Sequence, residues 1–387
     1  MRSSSLRLRT SLFAAVVPLA LTLAATGCGS SSAPTAATSA SSNDPGVAAA
    51  QKVVDSRLGS QTFKADLPAI DQIAKAKDKK VLYTAISLKI PYFQNVLKTM
   101  QSAAGLAGVQ VDGCDGNVTP ANIAGCVTQA ISQHYDAIVL DNIPVDLIGQ
   151  GADALKGAGV QIISAEGESL PAADGVTYAG TGGPEMLQAA ANWTIADSGG
   201  KANVLIVQQN DTPLQVKYVS QYMQPTFAKN CPNCKVQVIS VTAAQLGNLG
   251  TQVSAALLKD PKIDYVVSEF DANVQYIVTG LQSSPRGKSV KLVGAIGDLA
   301  ALQRVRSGQF QRADVLVSPS YAGWAITDQT LRVLVGAKTW DRLDTPFRTF
   351  DTSNIGDVTV AQDGIDGGAI VGGDTWSHVF RASWGLS

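Results

Sequence analysis

Histidine is almost missing from this chain: His134 and His378 are the only two in 387 residues. That argues against a multi-histidine metal site and against Ser-His catalysis. A surplus of positive charge is missing too, since Lys and Arg total 30 against 31 for Asp and Glu. A nucleic-acid surface needs a basic stripe to neutralise phosphates, so that class is set aside. No stretch holds 18 uninterrupted apolar residues, so no spanning helix is predicted. Repeats and coiled-coil heptads are absent as well. What is present is an apolar fraction of 45% with only 16% charged residues, which fits a folded globular body. The length suits two or three domains.

The first residues read as an address. Arg2, Arg7 and Arg9 precede an apolar run from Leu12 to Ala25, with no acid among them. A basic start, a short apolar middle and a small-residue exit predict a secretory signal peptide over residues 1–27. The exit, Ala25-Thr26-Gly27-Cys28, resembles the bacterial lipobox, although Ala25 stands where that motif favours Leu. The resemblance implies cleavage before Cys28 and lipidation of its thiol, with acyl chains enough for stable attachment. Residues 28–46, rich in Ser, Ala and Thr with Pro34 and Pro45, are expected to be a flexible tether.

Four cysteines remain: Cys114, Cys126, Cys231 and Cys234. An even number in an exported chain suggests disulfides. Proximity favours Cys114–Cys126 and Cys231–Cys234 without excluding the crossed pairings. Cys231-Pro-Asn-Cys234 lies between a predicted helix and a predicted strand. It therefore lacks the helix N-terminus that activates a redox cysteine, and a structural clip is the better reading.

Strand and helix patterns then alternate. Predicted strands are Val81–Ser87, Val109–Asp112, Ala137–Leu140 and Val160–Ser164, with helices Pro91–Leu106, Pro120–Ser132 and Asp146–Ala158 between them. A second series has strands Asn203–Gln208, Val236–Val241, Tyr265–Ser268 and Lys291–Ala295. Its helices are Pro213–Lys229, Gln245–Lys259, Asp271–Gln282 and Leu299–Ser307, and Tyr321–Val335 follows as a late amphipathic helix. The fold class is α/β: two doubly wound parallel-sheet lobes, with a ligand site at the carboxyl ends of the strands or between lobes. By that topology Gln208, Gln209, Asn210 and Asp211 lie at the edge of the cleft. Gly180-Thr-Gly-Gly-Pro184 opens a helix but lacks the Lys-Ser/Thr ending of a phosphate loop. Asp363 and Asp366 do not follow calcium-loop spacing.

The run Val81-Leu-Tyr-Thr-Ala-Ile-Ser-Leu-Lys-Ile-Pro-Tyr-Phe-Gln-Asn-Val-Leu resembles the opening of type I periplasmic binding proteins of the sugar-binding branch. Ala137–Leu140 before Asp146, Tyr265–Asp271, Val293-Gly294 and Ser320-Tyr-Ala-Gly-Trp-Ala-Ile-Thr-Asp extend the likeness over roughly residues 80–345. The family implies two lobes, three hinge crossings, a cleft that closes on a solute, and delivery to an ABC importer's permease and ATPase. The expected division is an N-terminal extension over 47–79, an N-terminal lobe of 80–165 plus 317–345, and a C-terminal lobe of 166–316 plus 346–387.

Carried over position by position, the family's ligand residues fall on Ile90, Tyr92, Phe93, Pro144, Lys217, Phe270, Asp271 and Ile296, and Trp324 of the late helix is added as a candidate. Asn210 and Asp211 join them at the strand end. The family's polar groups at four of these positions are here Ile90, Pro144, Phe270 and Ile296, and its Arg is Lys217, which lacks the planar fork. A ligand less hydroxylated than a simple sugar, partly apolar and with one group for Lys217, is the expectation. Packing alone would also suit Phe93 and Trp324 on apolar helix faces, a surface charge would suit Lys217, and Asp146 and Asp271 read as helix caps.

The favoured function is a lipid-anchored, extracytoplasmic solute-binding protein of an ABC importer, working as a monomer with no cofactor and no metal. A ligand-presenting partner of a membrane receptor is the alternative. No nucleophile–base pair or cofactor fingerprint supports an enzyme.

Overall fold

The computed structural model describes residues 44–165 and 169–386. The signal segment, Cys28 and the tether up to residue 43 lie outside the described residues. A first sheet has the order β2-β1-β3-β4-β5, with β1 Lys80–Ala85, β2 Gln110–Asp115, β3 Ala137–Asp141, β4 Gln161–Ala165 and β5 Val176–Ala179, all parallel. A second has the order β11-β10-β9-β8-β6-β7. Its strands are β6 Asn203–Gln209, β7 Lys235–Val241, β8 Tyr265–Ser268, β9 Lys291–Ala295, β10 Gln311–Val317 and β11 Phe347–Asp351. Only β11 runs antiparallel, against β10. The central strands are apolar at nearly every position because helices cover both faces of each sheet.

Between the strands run α1 Pro45–Leu58, α2 Pro91–Gly105, α3 Pro120–Ser132, α4 Val145–Ile148, α5 Gly151–Gly157, α6 Gly183–Asp197, α7 Pro213–Lys217 and α8 Gln224–Asn230. They are followed by α9 Leu249–Lys259, α10 Val274–Ser283, α11 Leu299–Ser307, α12 Pro319–Val335, α13 Gln362–Asp366 and α14 Thr375–Ser383. Proline at the first turn sets α2 and α3 in place, and the Thr119 hydroxyl accepts the Asn122 amide at 3.3 Å. Phe93, Val96, Met100 and Ala103 bury one face of α2 against α12. Among the described residues no helix is long and apolar enough to cross a membrane.

Several expectations are corrected. The helix expected over Asp146–Ala158 breaks at Gly149, whose φ is 50°, into α4 and α5. Asp146 is an exposed first-turn residue and caps nothing; Pro144 holds the cap position. The helix expected over Pro213–Lys229 passes through a wide π-turn at Tyr218–Met223 before α8. Pro225 explains it: without an N–H, its ring would clash with the carbonyl four residues back in a regular helix. The tether expected to reach Gly46 ends earlier, because Asp44 caps α1 through the Gly46 amide at 2.8 Å and the helix starts at Pro45. The lobe boundary expected after Ala165 falls inside the first sheet, since β5 pairs with β4. The C-terminal tail, expected wholly in the second lobe, returns as α14 to pack on α12. The disulfides join Cys114 to Cys126, linking β2 to α3, and Cys231 to Cys234 in the α8–β7 turn, with Cα separations of 5.9 and 5.3 Å.

Candidate functional site

Parallel strands end together, so each sheet has one edge where carboxyl ends, and the turns that follow them, collect. The chain passes from the first sheet to α6 at the end of β5 and from the second sheet to α12 at the end of β10. It passes back from α12 to β11. Gly182, at φ 87°, touches the third of these passages: a Cβ there would lie 2.8 Å from Thr345. Left-handed backbone at residues other than glycine recurs at the strand ends. Asn117 and Val118 after β2, Asn142 after β3 and Ile296 after β9 have φ of 46°, 55°, 55° and 59°. Such strain persists only where surroundings fix it, and for β-branched Val118 and Ile296 it is uncommon.

In the first lobe, Asp115 at the end of β2 accepts the Leu88 amide at 3.0 Å and the Asn117 amide at 2.8 Å. Lys89 reaches the Asn117 side chain at 2.6 Å. This pins the turn that presents Ile90 and Tyr92, both half-buried. The Tyr92 ring meets Phe93 edge-on at 5.4 Å, and Phe93 itself is 5% exposed and belongs to the core. Beneath them the Tyr83 hydroxyl donates to the buried Asp141 carboxylate at the end of β3. Pro144 lies half-buried three residues further on.

In the second lobe, Gln209 is the centre. Its amide donates to Glu269 Oε2 at 2.8 Å, its Nε2 to Asn273 Oδ1 at 3.0 Å, and its Oε1 accepts Gln215 Nε2 at 3.2 Å. Glu269 has no exposed surface, and burial pushes its carboxyl well above the ordinary carboxylate range. Asp271 does not cap its helix. Its buried carboxyl sits against that of Asp314, and burial pushes Asp271 up to about 6. Burial and the neighbouring charge of Asp271 push Asp314 up as well. With two adjacent buried carboxyls, ionising both is strongly disfavoured. Arg304 supports the pair through Gln311, whose Nε2 donates to Asp314 at 2.7 Å while its Oε1 accepts Arg304 Nε at 2.8 Å.

The remaining residues divide. Phe270 and Ile296 are half-buried just after strand ends, and Lys217 is half-buried at the end of α7. Asp211 accepts the Ala243 amide with both oxygens, at 3.0 and 2.9 Å, and so ties the β6 turn to the β7 turn. Asn210 is exposed, and its amide bonds the Val241 carbonyl. Trp324 stacks on Trp384, with centroids 5.3 Å apart, and lines a shallow groove of about 290 Å³ with Asn95, Lys98 and Thr99 of α2. It stands on a helical face, away from the strand ends. Glu269, Asn273, Asp314 and the Tyr83–Asp141 pair escaped the sequence reading. The signal that could have found Glu269 was a carboxylate directly following a buried apolar strand.

Comparisons with known proteins agree with this architecture. A family model described as a periplasmic binding protein domain matches residues 81–338. No curated protein matches the sequence. A solved structure of a sugar ABC transporter from Yersinia enterocolitica superposes with a TM-score of 0.65 at 19% identity, covering 82% of this chain and 98% of its own. An ABC transporter solute-binding protein from Agrobacterium vitis, bound with α-D-tagatopyranose, gives 0.65 at 16% identity over 73% of this chain and 98% of its own. A periplasmic ribose ABC transporter from Conexibacter woesei gives 0.61 at 19% identity over 73% and 95%. The two parallel-sheet lobes, the crossings between them and the family match across both lobes lead to one conclusion: the chain belongs to the periplasmic binding protein domain family, with the type I fold.

Proposed function

We propose that the protein is an extracytoplasmic solute-binding lipoprotein of an ABC importer, tied to the membrane through Cys28 and capturing one small molecule between its lobes by hinge closure. Membership of the binding-protein family carries the reading, and its likeness to solved structures of sugar ABC transporters supports the importer. Closure is a rotation of one lobe against the other about the crossings near Gly182 and Thr345.

The ligand is a small cyclic molecule, less hydroxylated than a pentose or hexose. Ile90, Tyr92, Pro144, Phe270 and Ile296 supply apolar surface, and each sugar hydroxyl left against them unpaired would cost about 1–3 kcal/mol. Lys217 meets one polar or anionic group. Asn210 and Asp211 shape the rim, while Phe93 backs Tyr92 from the core.

A thermal-shift screen over sugars, polyols, aromatic acids, terpenoids and steroids tests this. A true ligand at one hundred times its dissociation constant adds about 2.7 kcal/mol. Partly apolar acids should raise the melting temperature while ribose, xylose and glucose do not. Tight binding of those three sugars alone would overturn the ligand class. Acyl-chain mass on Cys28, read by mass spectrometry of the membrane fraction, tests the anchor.

A further inference from the structure

The family match begins at residue 81 and stops at 338, yet ordered chain continues beyond it at both ends. The N-terminal piece starts on the second lobe. Val47, Ala50 and Val54 of α1 are buried where that helix packs on α6, α8 and β11. At its end the Leu58 carbonyl accepts Arg348 Nε and Asn354 Nδ2, each at 2.8 Å. Arg57 lies 4.0 Å over the Phe347 ring and bonds Asp344 at 3.3 Å.

Within a few residues the same piece is on the first lobe. Phe63, 2% exposed, meets Tyr321 of α12 edge-on and stacks on Phe380 of α14, both at 5.2 Å. The Ile70 amide donates to the Ser383 carbonyl at 2.7 Å, and residues 73–76 pack on α12 before β1 begins.

The C-terminal piece makes the same passage in the same direction, from the second lobe to the first. Ile370 and Val371 belong to the second lobe's core with Leu302 and Phe350, while Trp376, Phe380 and Trp384 are buried with α12. The two passages are stitched where they cross. The Gln61 amide donates to the Val371 carbonyl at 2.9 Å, and the Phe63 amide to Thr375 Oγ1 at 3.3 Å. Gly372 makes the fit possible, because a Cβ there would fall 1.7 Å from the Gln61 carbonyl oxygen.

We propose that residues 59–70 and 371–376 form a two-stranded clasp that adds two passages to the three made by the family fold, and that this clasp limits how far the lobes swing apart. A narrower open state leaves less conformational freedom to lose on closing and keeps more of the population competent to bind. The idea rests on the two-lobed fold and not on the identity of the ligand.

The test uses the unliganded full chain with Cys28→Ser, spin-labelled at exposed Ser102→Cys on α2 and Ser283→Cys on α10. A protease site is inserted between exposed Gly59 and Ser60, where an added Cβ at Gly59 meets nothing within 4 Å. Cutting severs one of the clasp's two passages while both halves stay docked. The interlobe distance distribution should broaden and lengthen after cutting, with circular dichroism unchanged. Gly372→Ala, which drives the two passages apart, should shift it the same way; should that variant not fold, the cut and uncut proteins decide alone. Identical distributions before and after cutting overturn the proposal. The ligand screen reads a different quantity, so failure of one leaves the other standing.

Discussion

The Asp328 carboxylate grips the Arg332 guanidinium one helical turn away through two hydrogen bonds, of 2.7 and 3.2 Å, and neither side chain has exposed surface. The indole N–H groups of Trp340 and Trp384 donate to the same carboxylate at 2.8 and 2.7 Å. One acid therefore joins α12, the segment after it and the C-terminus.

Removing one partner strands the other charge in the core. Asp328→Ala is expected to lose about 3–5 kcal/mol of stability by denaturant unfolding. Replacing both with apolar residues, Asp328→Leu with Arg332→Met, should lose less than the single change. Equal losses would show that the charge is not what matters.

The buried acids of the second lobe set a pH dependence. Glu269, Asp271 and Asp314 all have folded-state pKa values above their unfolded ones. Their protonated forms are favoured in the folded protein. Their contribution is thus full below the ordinary carboxylate range and is lost as pH rises, for Asp271 through about 6. Glu269→Gln keeps an acceptor for the Gln209 amide and removes the titration. Its melting temperature should fall less than the parent's between pH 5 and 8, and parallel profiles would refute the assignment.

Gly294 leaves room for the acid pair. A Cβ there would lie 2.1 Å from Asp271 Oδ1 and 2.8 Å from Asp314 Oδ2. Gly294→Ala should destabilise by about 1–3 kcal/mol through overpacking. In an Asp271→Ala background the penalty should shrink, and a double-mutant cycle with no coupling would remove the contact from consideration.

The two disulfides differ in reach. Cys114–Cys126 closes a loop of separation 12, whereas Cys231–Cys234 spans three positions. Cys114→Ser with Cys126→Ser should cost about 2–4 kcal/mol, and the paired change at Cys231 and Cys234 less. Chemical unfolding of the two double variants ranks them.

Local chemistry settled much of the fold. Strands Tyr265–Ser268 and Lys291–Ala295 and helices Pro120–Ser132 and Leu299–Ser307 lie where apolar period, proline and capping residues put them. The series of strands and helices then fixes two parallel sheets, because each crossover is too long for a hairpin and too short for anything but a helix. The edge where a ligand would sit follows from that order alone.

What the sequence could not decide depends on distant chain meeting. Strand β11, with Arg348 among its buried residues, has no clean alternation to announce it and exists because it pairs with β10. Asp271 reads locally as a helix cap, and only β9 and β10 passing beneath it turn it into half of an acid pair. Trp324 reads as either core or ligand platform until Trp384, sixty residues later, covers its face. Phe63 and Phe380 lie at opposite ends of the chain, and nothing in the spacing of either tells that their rings stack. Periodicity reports which side of an element is apolar, while partners hundreds of residues apart are chosen by packing, which exists only once the chain has folded.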